Sequence, residues 1–286
     1  MISAEAFQNE INIIIANAVR EDVGEGDHSS LACIPEQAFG KAHLLVKDKG
    51  LLAGVEFARQ VFKYVDPKLH MKIHIQDGTA VKFGDIAFDV MGSQQSILKA
   101  ERIVLNAMQR MSAIATKTKS YVELLKGTGT KILDTRKTTP GIRALEKWAV
   151  SIGGGVNHRF ALYDEIMLKD NHIDFAGDVT KALELTTDYI KTHQLHLKII
   201  VEARDLDEIK AILAHGGVDR ILIDNFSIQE TQEAVALIGD QCHTESSGGI
   251  NEVTLRHYAE CGVNYISSGA LTHSVYNMDL SLKAAE

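Results

Sequence analysis

The sequence is poor in cysteine and proline and has no long apolar run. Its 286 residues include three cysteines, Cys33, Cys242 and Cys261, without a Cys-x-x-Cys pair. The odd number argues against a disulfide framework and favours a reducing, cytoplasmic compartment. The apolar patch Ile13–Ile15 is far too short for a signal or a membrane span, so no membrane partner is expected. With 3 prolines and 45% hydrophobic residues, the composition is that of a globular protein rather than a disordered or collagen-like chain.

The sequence is also short of positive charge. Lysine and arginine total 30 against 38 aspartate and glutamate residues, which gives a formal net charge of −8. Nucleic-acid binding generally needs a basic surface, so a nucleic-acid partner is disfavoured. The sequence contains neither a Gly-x-x-x-x-Gly-Lys-Ser/Thr loop nor a His-Glu-x-x-His motif, which argues against a P-loop nucleotide site and a zinc-protease helix. Against this background, a local cluster of basic residues stands out.

Hydrophobic patterning divides the chain into two regions. Apolar residues spaced by three and four predict a helix over 4–20 and a long helix over 96–126, while alternation over 41–91 predicts strands. This first region reads as an α+β domain. After Gly127, six short apolar runs alternate with helical patterns, as in a parallel sheet that is buried on both faces. The last three runs start about 22 residues apart, a period consistent with a β/α barrel, although a doubly wound sheet would also fit.

Basic side chains concentrate at the ends of these apolar runs and in the loops that follow them. In a β/α barrel, the carboxyl ends of the strands meet at one mouth. Arginine binds carboxylates and phosphates through its planar fork. Each residue alone is more simply a surface cation, but five of them in an acidic protein predict a site for a ligand with several negative charges. The five are Arg136, Lys137, His158, Arg159 and Lys169.

Two acidic residues end consecutive runs in the same region. Glu202 and Asp224 are about 22 residues apart and should be neighbours at the mouth of a barrel. They could hold Mg²⁺ with its waters or bind sugar hydroxyls. They could equally neutralise nearby lysine and arginine side chains, and the pattern leaves both interpretations open.

Small residues follow the last two runs, in the segments Ser246-Ser247-Gly248-Gly249 and Ser267-Ser268-Gly269. Small side chains let backbone N–H groups approach a phosphate, which barrels of this type commonly bind after their last strands. Tight turns also use glycine, but two successive loops of this composition favour phosphate. Taken together, the three sets of residues predict an enzyme that acts on phosphorylated or carboxylated small molecules.

Longer motifs, spread over nearly the whole chain, resemble the quinolinate phosphoribosyltransferase family. They are Glu21-Asp22 with Gly26-Asp27, Ala100-Glu101-Arg102, Asp134-Thr135-Arg136-Lys137-Thr138, Gly153-Gly154-Gly155-Val156-Asn157-His158-Arg159, Lys169-Asp170-Asn171-His172, Glu202, Asp224-Asn225, Glu245-Ser246-Ser247-Gly248-Gly249 and Gly269-Ala270-Leu271-Thr272-His273. The resemblance implies an α/β fold with an N-terminal α/β sandwich domain, residues 1–103, and an open TIM-like β/α barrel, residues 104–270. The tail, residues 271–286, would cap the barrel or return to the first domain.

The same resemblance implies a reaction. Quinolinate and phosphoribosyl pyrophosphate would react in the presence of Mg²⁺ to give nicotinate mononucleotide, pyrophosphate and CO₂, a step of NAD biosynthesis. The protein would act as a homodimer with shared active sites.

The resemblance also implies roles for individual residues. Arg136, His158, Arg159 and Lys169 would hold the quinolinate carboxylates, Thr135 would contact substrate, and Arg102 would reach into the site from the partner subunit. Lys137 would contact pyrophosphate or phosphate, while Glu202 and Asp224 would face the ribose and, directly or through water, the metal. The 5′-phosphate would be held by Ser246, Ser247, Gly248, Gly249, Ser267, Ser268 and Gly269. Lys137, Lys169, Glu202 and Asp224 would form the catalytic set.

Four alternative functions remain open at this point. A Schiff-base aldolase could use Lys169 as its nucleophile, although the surrounding cations favour an anion clamp. A paralogue of the same fold could serve molybdate transport, or a close relative could use nicotinate directly. A non-catalytic anion-binding module would bind quinolinate without releasing CO₂.

Overall fold

The structure, a computed structural model, describes residues 2–285. Its strands are β1 (Phe39–Val46), β2 (Gly50–Leu51), β3 (His70–Ile73), β4 (Ala80–Val81), β5 (Ile86–Ser93), β6 (Lys131–Leu133), β7 (Ile166–Leu168), β8 (Ile199–Ala203), β9 (Arg220–Asp224), β10 (His243–Ser247), β11 (Tyr265–Ser267) and β12 (Leu280–Ala285). Its helices are α1 (Ala4–Val23), α2 (His28–Cys33), α3 (Val55–Val65), α4 (Gln94–Leu124), α5 (Arg143–Ile152), α6 (Asp170–Ala176), α7 (Val179–His193), α8 (Leu206–His215), α9 (Ile228–Ile238), α10 (Leu255–Glu260) and α11 (Ala270–His273).

The chain packs as two compact units. The barrel unit contains Ser120–Arg136 and Gly155–Ala270, and the sandwich unit contains Ile2–Lys119, Lys137–Gly154 and the residues from Leu271 onward. The C-terminal tail joins the sandwich unit because β12 pairs antiparallel with β1. Met1 and Glu286, which end the predicted domain and tail ranges, lie outside the described residues.

The main sheet of the sandwich unit is antiparallel, with the strand order β12-β1-β5-β3. Alternate residues of a strand face the same side, and Ala42, Leu44 and Val46 of β1 are buried in that pattern. Helix α3 buries an apolar face, and its Phe62 meets Phe88 of β5 edge to face, with 5.9 Å between ring centroids. The predicted mixed sheet-and-helix fold of this region is confirmed.

The sheet of the barrel unit is parallel and contains six strands in the order β6-β11-β10-β9-β8-β7. Every residue of β8 is buried, as expected for a sheet covered on both faces. Strands β7 to β11 are adjacent in chain order, and β6 lies beside the last of them. This is the winding of a barrel left open between β6 and β7, so the predicted open barrel is confirmed and the doubly wound alternative, which needs a reversal of strand order, is wrong.

Side-chain caps start the helices that follow the strands of the barrel unit. Asp178, Asp205 and Ser227 accept hydrogen bonds from backbone N–H groups in the first turns of α7, α8 and α9. These N–H groups have no partner within the helix, so a capping oxygen stabilises the helix start. The caps fix where each helix begins and therefore how much chain remains in the loop after the preceding strand.

The boundaries of two helices differ from the sequence prediction. Helix α1 continues to Val23, where Gly24 takes a φ of 51°, and the long helix runs from Gln94 to Leu124. Strand β6 ends at Leu133, and in the next residue the Asp134 N–H donates to the Val156 carbonyl while the Asp134 carboxylate accepts the His158 N–H. Within residues 2–285, no helix is both long and apolar enough to cross a membrane.

Candidate active site

The register of the parallel sheet brings several strand-end residues onto one face. Glu202 pairs with Leu222, and Ser247 pairs with Asp224. Paired residues of adjacent strands face the same side, as do alternate residues of one strand. Glu202, Asp224 and Ser247 therefore project from a common face. Lys169 follows Leu168, the last residue of β7, and lies beside Glu202.

Lys169, Glu202 and Asp224 form a charged cluster at this end of the sheet. The Lys169 Nζ lies 3.4 Å from the Glu202 Oε2. Burial raises the pKa of the Glu202 carboxyl, and the charge of Asp224 raises it further, while the Lys169 ammonium lowers it. Two carboxylates that repel each other beside one lysine are suited to stabilise a positive charge that develops between them.

Asn225 orients the Asp224 carboxylate, and it was not among the predicted site residues. Its Nδ2 donates a 2.6 Å hydrogen bond to the Asp224 Oδ2, and its backbone N–H donates to the Ser247 carbonyl over 3.0 Å. Asn225 has a φ of 58°, a conformation that asparagine adopts more readily than most residues. The Asp-Asn pair after an apolar run was the available signal in the sequence.

Arg159 is a buried arginine beside a second arginine. Only 6% of Arg159 is exposed, and its Nη1 donates to the Glu165 backbone carbonyl over 3.2 Å. Burial lowers the pKa of the Arg159 guanidinium, and the nearby charge of Arg136 lowers it as well. The carboxylates of Asp164 and Glu165 act in the opposite direction and raise that pKa. Two arginines close enough for one charge to lower the pKa of the other favour binding of an anion.

His158 lies inside the barrel unit, turned towards protein groups. Its Nδ1 accepts the Arg159 N–H over 2.7 Å, and its Nε2 lies 3.3 Å from the Oε2 of Glu245. Glu245 is fully buried and also accepts a 2.8 Å hydrogen bond from Arg220. With the bond from the His158 N–H to Asp134, these contacts hold the backbone that carries Arg159. Glu245 and Asp134 are thus supporting residues, a role that the sequence motifs containing them did not reveal.

The two loops of small residues, Ser246–Gly249 and Ser267–Gly269, differ in their packing and in the hydrogen bonds of their backbone. Gly248 has a φ of 95°, and a Cβ there would lie 2.2 Å from the Asn225 Oδ1, so only glycine fits against the β9 loop. Ser267 shares the face of Ser247, whereas the pairing of Ser246 with Ile266 and Ile223 puts Ser246 on the opposite face. The Ser268 N–H donates to the Leu133 carbonyl, and that N–H is therefore used within the fold. Gly249, with a φ of 61°, and Gly269 complete the two loops.

The remaining predicted residues are placed as follows. Thr135 is half-buried and directly precedes the exposed Arg136. Lys137 is exposed, belongs to the sandwich unit, and accepts a 2.8 Å hydrogen bond at its backbone carbonyl from the Thr272 hydroxyl. Arg102 is exposed on α4 and lines a cavity of about 260 Å³ in the sandwich unit.

A magnesium ion would find two carboxylates in the barrel unit. No group of three or more His, Cys, Asp or Glu side chains suited to a metal occurs in the described part of the chain. Mg²⁺ commonly keeps several waters and binds one or two carboxylates together with substrate phosphates. Glu202 and Asp224 fit that mode, and they do not form an all-protein cage.

Comparison with known proteins identifies what the chain is similar to. Residues 27–112 match the family description "Quinolinate phosphoribosyl transferase, N-terminal domain", and residues 114–283 match "Quinolinate phosphoribosyl transferase, C-terminal domain". The decarboxylating quinolinate phosphoribosyltransferase 1b of Nicotiana tabacum is 42% identical over 94% of this chain and 81% of its own length. A probable carboxylating nicotinate-nucleotide pyrophosphorylase of Bacillus subtilis is 38% identical over 92% of this chain and 89% of its own.

Solved structures show the same likeness. NadC from Streptococcus pyogenes is 37% identical, with 100% of both chains covered and a TM-score of 0.90. The nicotinate-nucleotide pyrophosphorylase from Francisella tularensis is 33% identical, with 97% and 96% of the two chains covered and a TM-score of 0.88.

Proposed function

Since this chain belongs to the quinolinate phosphoribosyltransferase family, we propose that the strand ends of its barrel unit hold the reacting groups. The protein transfers the phosphoribosyl group of phosphoribosyl pyrophosphate to quinolinate and releases pyrophosphate and CO₂, giving nicotinate mononucleotide. It is a carboxylating nicotinate-nucleotide pyrophosphorylase of NAD biosynthesis. This assignment replaces the aldolase, molybdate-linked, nicotinate-using and anion-binding alternatives.

The burial and surroundings of Arg159 are the main support for the proposed quinolinate site. A buried guanidinium whose pKa is lowered by burial and by the neighbouring charge of Arg136 is suited to a ligand with two carboxylates. Arg136, Arg159 and Lys169 would bind these carboxylates, with Thr135 at the edge. His158 faces Glu245 and the Arg159 backbone, which favours a role in holding Arg159 alongside its predicted contact with quinolinate.

The sugar and its phosphates would lie along the acidic side of the cluster. Glu202 and Asp224 would face the ribose, Lys137 the pyrophosphate group, and the loops Ser246–Gly249 and Ser267–Gly269 the 5′-phosphate. Glu202 and Asp224 would also hold Mg²⁺ directly or through water. The ion would supply positive charge to the pyrophosphate oxygens as the leaving group departs.

The chemistry needs positioning and charge stabilisation more than a covalent nucleophile. The quinolinate nitrogen forms a bond to the anomeric carbon of the sugar while the bond from that carbon to pyrophosphate breaks. The anomeric carbon becomes electron-poor in between, and Glu202 and Asp224 stabilise it electrostatically. The ring nitrogen is then cationic. The carboxylate next to it leaves as CO₂, its bonding electrons stay on the ring carbon, and a proton replaces it there.

We further propose a homodimer in which the partner subunit's Arg102 completes each site. Arg102 is exposed on α4, and Leu162 and Tyr163, close to Arg159 in sequence, are exposed apolar residues that a second copy could cover. Mixing Arg102→Ala with Lys169→Ala protomers should restore part of the activity, because one hybrid site then has every residue. Mixed dimers that form and stay inactive would exclude a shared site.

A cytoplasmic location is the simplest proposal for this chain. Cys33, Cys242 and Cys261 are all free thiols in the structure, which suits a reducing compartment. The relatives from Oryza sativa and Arabidopsis thaliana carry chloroplastic names, so the family also works in organelles. Fractionation of the native organism's cells would decide between the two.

Two variants test the assignment of the substrate subsites. With quinolinate, phosphoribosyl pyrophosphate and Mg²⁺, the wild-type protein should form nicotinate mononucleotide and CO₂ in equal amounts. Arg159→Met should raise the KM for quinolinate far more than that for phosphoribosyl pyrophosphate, and Lys137→Met should do the reverse.

Arg256→Met is the matched control. Arg256 is an exposed arginine of α10 in the barrel unit, which also contains Arg159, and it pairs with Glu260. Its loss should leave both KM values unchanged. If Arg159→Met and Lys137→Met change the two KM values in the same proportion, the subsite assignment is wrong.

A further inference from the structure

The segment Lys137–Thr139 lies between β6 and α5 and has no regular secondary structure. Each of its three residues nevertheless makes a side-chain-mediated contact within the sandwich unit. The Lys137 carbonyl accepts from the Thr272 hydroxyl over 2.8 Å, and the Thr138 hydroxyl accepts from the Arg143 Nε over 3.0 Å. The Thr139 N–H and hydroxyl both donate to Glu146, over 3.0 and 2.8 Å.

Glu146 is the centre of these contacts. It is fully buried on α5, and besides Thr139 it accepts from the Nε and Nη2 of Arg110, over 3.0 and 2.9 Å. The Arg110 Nη2 also donates to the backbone carbonyl of Thr272. A continuous chain of hydrogen bonds therefore runs from Thr139 through Glu146, Arg110 and Thr272 to the Lys137 carbonyl.

These hydrogen bonds do more than attach the segment Lys137–Thr139 to the sandwich unit. A buried carboxylate that accepts four hydrogen bonds, two of them from an arginine, is stable only in a fixed geometry. Both ends of that geometry meet the segment directly after the exposed Lys137 side chain, at the Lys137 carbonyl and at Thr139. Fixing the backbone of a flexible lysine lowers the conformational entropy that it loses when it binds a ligand.

We propose that Arg110, Glu146 and Thr272 are positioning residues that hold Lys137 ready to bind the pyrophosphate group of phosphoribosyl pyrophosphate. This inference rests on the proposed role of Lys137. It assigns part of the enzyme's selectivity for one substrate to a hydrogen-bond chain that does not touch that substrate. A network that served only to stabilise the fold would affect both substrates equally.

Thr272 offers the sharpest test, because valine has the shape of threonine without its hydroxyl. Thr272→Val removes the bond to the Lys137 carbonyl. Loss of one such hydrogen bond should weaken Mg²⁺-pyrophosphate binding, measured by calorimetry, and raise the KM for phosphoribosyl pyrophosphate by about three- to tenfold. The KM for quinolinate should stay close to the wild-type value, and Thr272→Ser, which keeps a hydroxyl, should restore binding.

Thr118→Val is the matched control. Thr118 is equally buried in the same unit, and its hydroxyl has no hydrogen-bond partner among residues 2–285, so its loss should change neither KM. In a Lys137→Met background, Thr272→Val should have no further effect on pyrophosphate binding, because it acts through Lys137. Thr139→Val, at an exposed position, should reproduce the selective effect if Thr272→Val fails to fold.

Three results would overturn the inference: an equal change in both KM values, no rescue by Thr272→Ser, or additive effects of Thr272→Val and Lys137→Met. Failure of the proposed function looks different. In that case the wild-type protein forms no nicotinate mononucleotide, while the calorimetric comparison of pyrophosphate binding still decides whether the network positions Lys137.

Discussion

In the barrel unit, the pKa of each buried carboxyl group depends on the groups that surround it. Glu202 and Glu245 are both buried carboxylates on neighbouring parts of one sheet, yet their pKa values move in opposite directions. Burial and Asp224 raise the pKa of Glu202. Burial alone would raise that of Glu245 too, but contacts with His158 and Arg220 hold it at about 2. The first carboxylate is suited to chemistry and the second to structural support.

Glu245 should therefore make the protein sensitive to acid. Its pKa in the folded state is about 2, against an ordinary value of 4.5, so the stability that it contributes is complete above pH 4.5. That contribution is lost as the pH falls towards 2. Glu245→Gln should lower the free energy of unfolding at pH 7 by about 3–5 kcal/mol, because it leaves the charge of Arg220 uncompensated, and should flatten the pH dependence in that window.

Urea unfolding at a series of pH values measures this effect. The control is Glu260→Gln, which breaks a Glu–Arg pair that is about half exposed and should cost about 0–1 kcal/mol. Equal losses for the two variants would contradict the structural role given to Glu245.

At the scale of the elements, strand ends and the turns after them define the site. Strand β9 ends in Asp224, and the turn after β10 packs Gly248 against Asn225, which in turn holds Asp224. Gly248→Ala would place a Cβ 2.2 Å from the Asn225 Oδ1 at a φ of 95°. The displaced Asn225 would misorient Asp224, and a shift of about 1 Å in a catalytic group can reduce kcat/KM on the order of 10²-fold.

Gly216→Ala separates this packing effect from backbone strain. Gly216 also has a positive φ, 74°, but no atom lies within 4 Å of the added Cβ. It should lower stability and leave kcat/KM for phosphoribosyl pyrophosphate unchanged. Similar kinetic losses in both variants would mean that the turn does not control Asp224.

Elements explain what could be predicted from the sequence and what could not. Near-continuous apolar runs such as Ile199–Ala203 predict both the parallel sheet and the ends of its strands. The positions of Lys169, Glu202 and Asp224 at those ends could therefore be predicted as well. The face on which Ser246 projects depends on register, because a shift of one residue reverses every side chain. The roles of Asn225 and Glu245 depend on contacts with other strands, which no local pattern contains.

At the scale of the whole molecule, substrate choice depends on the balance of charges. Quinolinate carries two carboxylates and nicotinate one. In the proposed pocket, Arg136, Arg159 and Lys169, with the partner subunit's Arg102, would supply more positive charge than one carboxylate can compensate. Nicotinate would leave a cation without its anion, and losing one partner of a buried charged pair costs about 3–5 kcal/mol, or about two to three and a half decades in affinity.

The most direct measurement is kcat/KM for quinolinate and for nicotinate, determined side by side with phosphoribosyl pyrophosphate and Mg²⁺ while nicotinate mononucleotide is quantified. We expect efficient turnover of quinolinate, one CO₂ per product, and an efficiency with nicotinate that is lower by about two to three and a half decades. Comparable efficiencies with the two acids, or product formed from quinolinate without CO₂, would contradict a site built for two carboxylates.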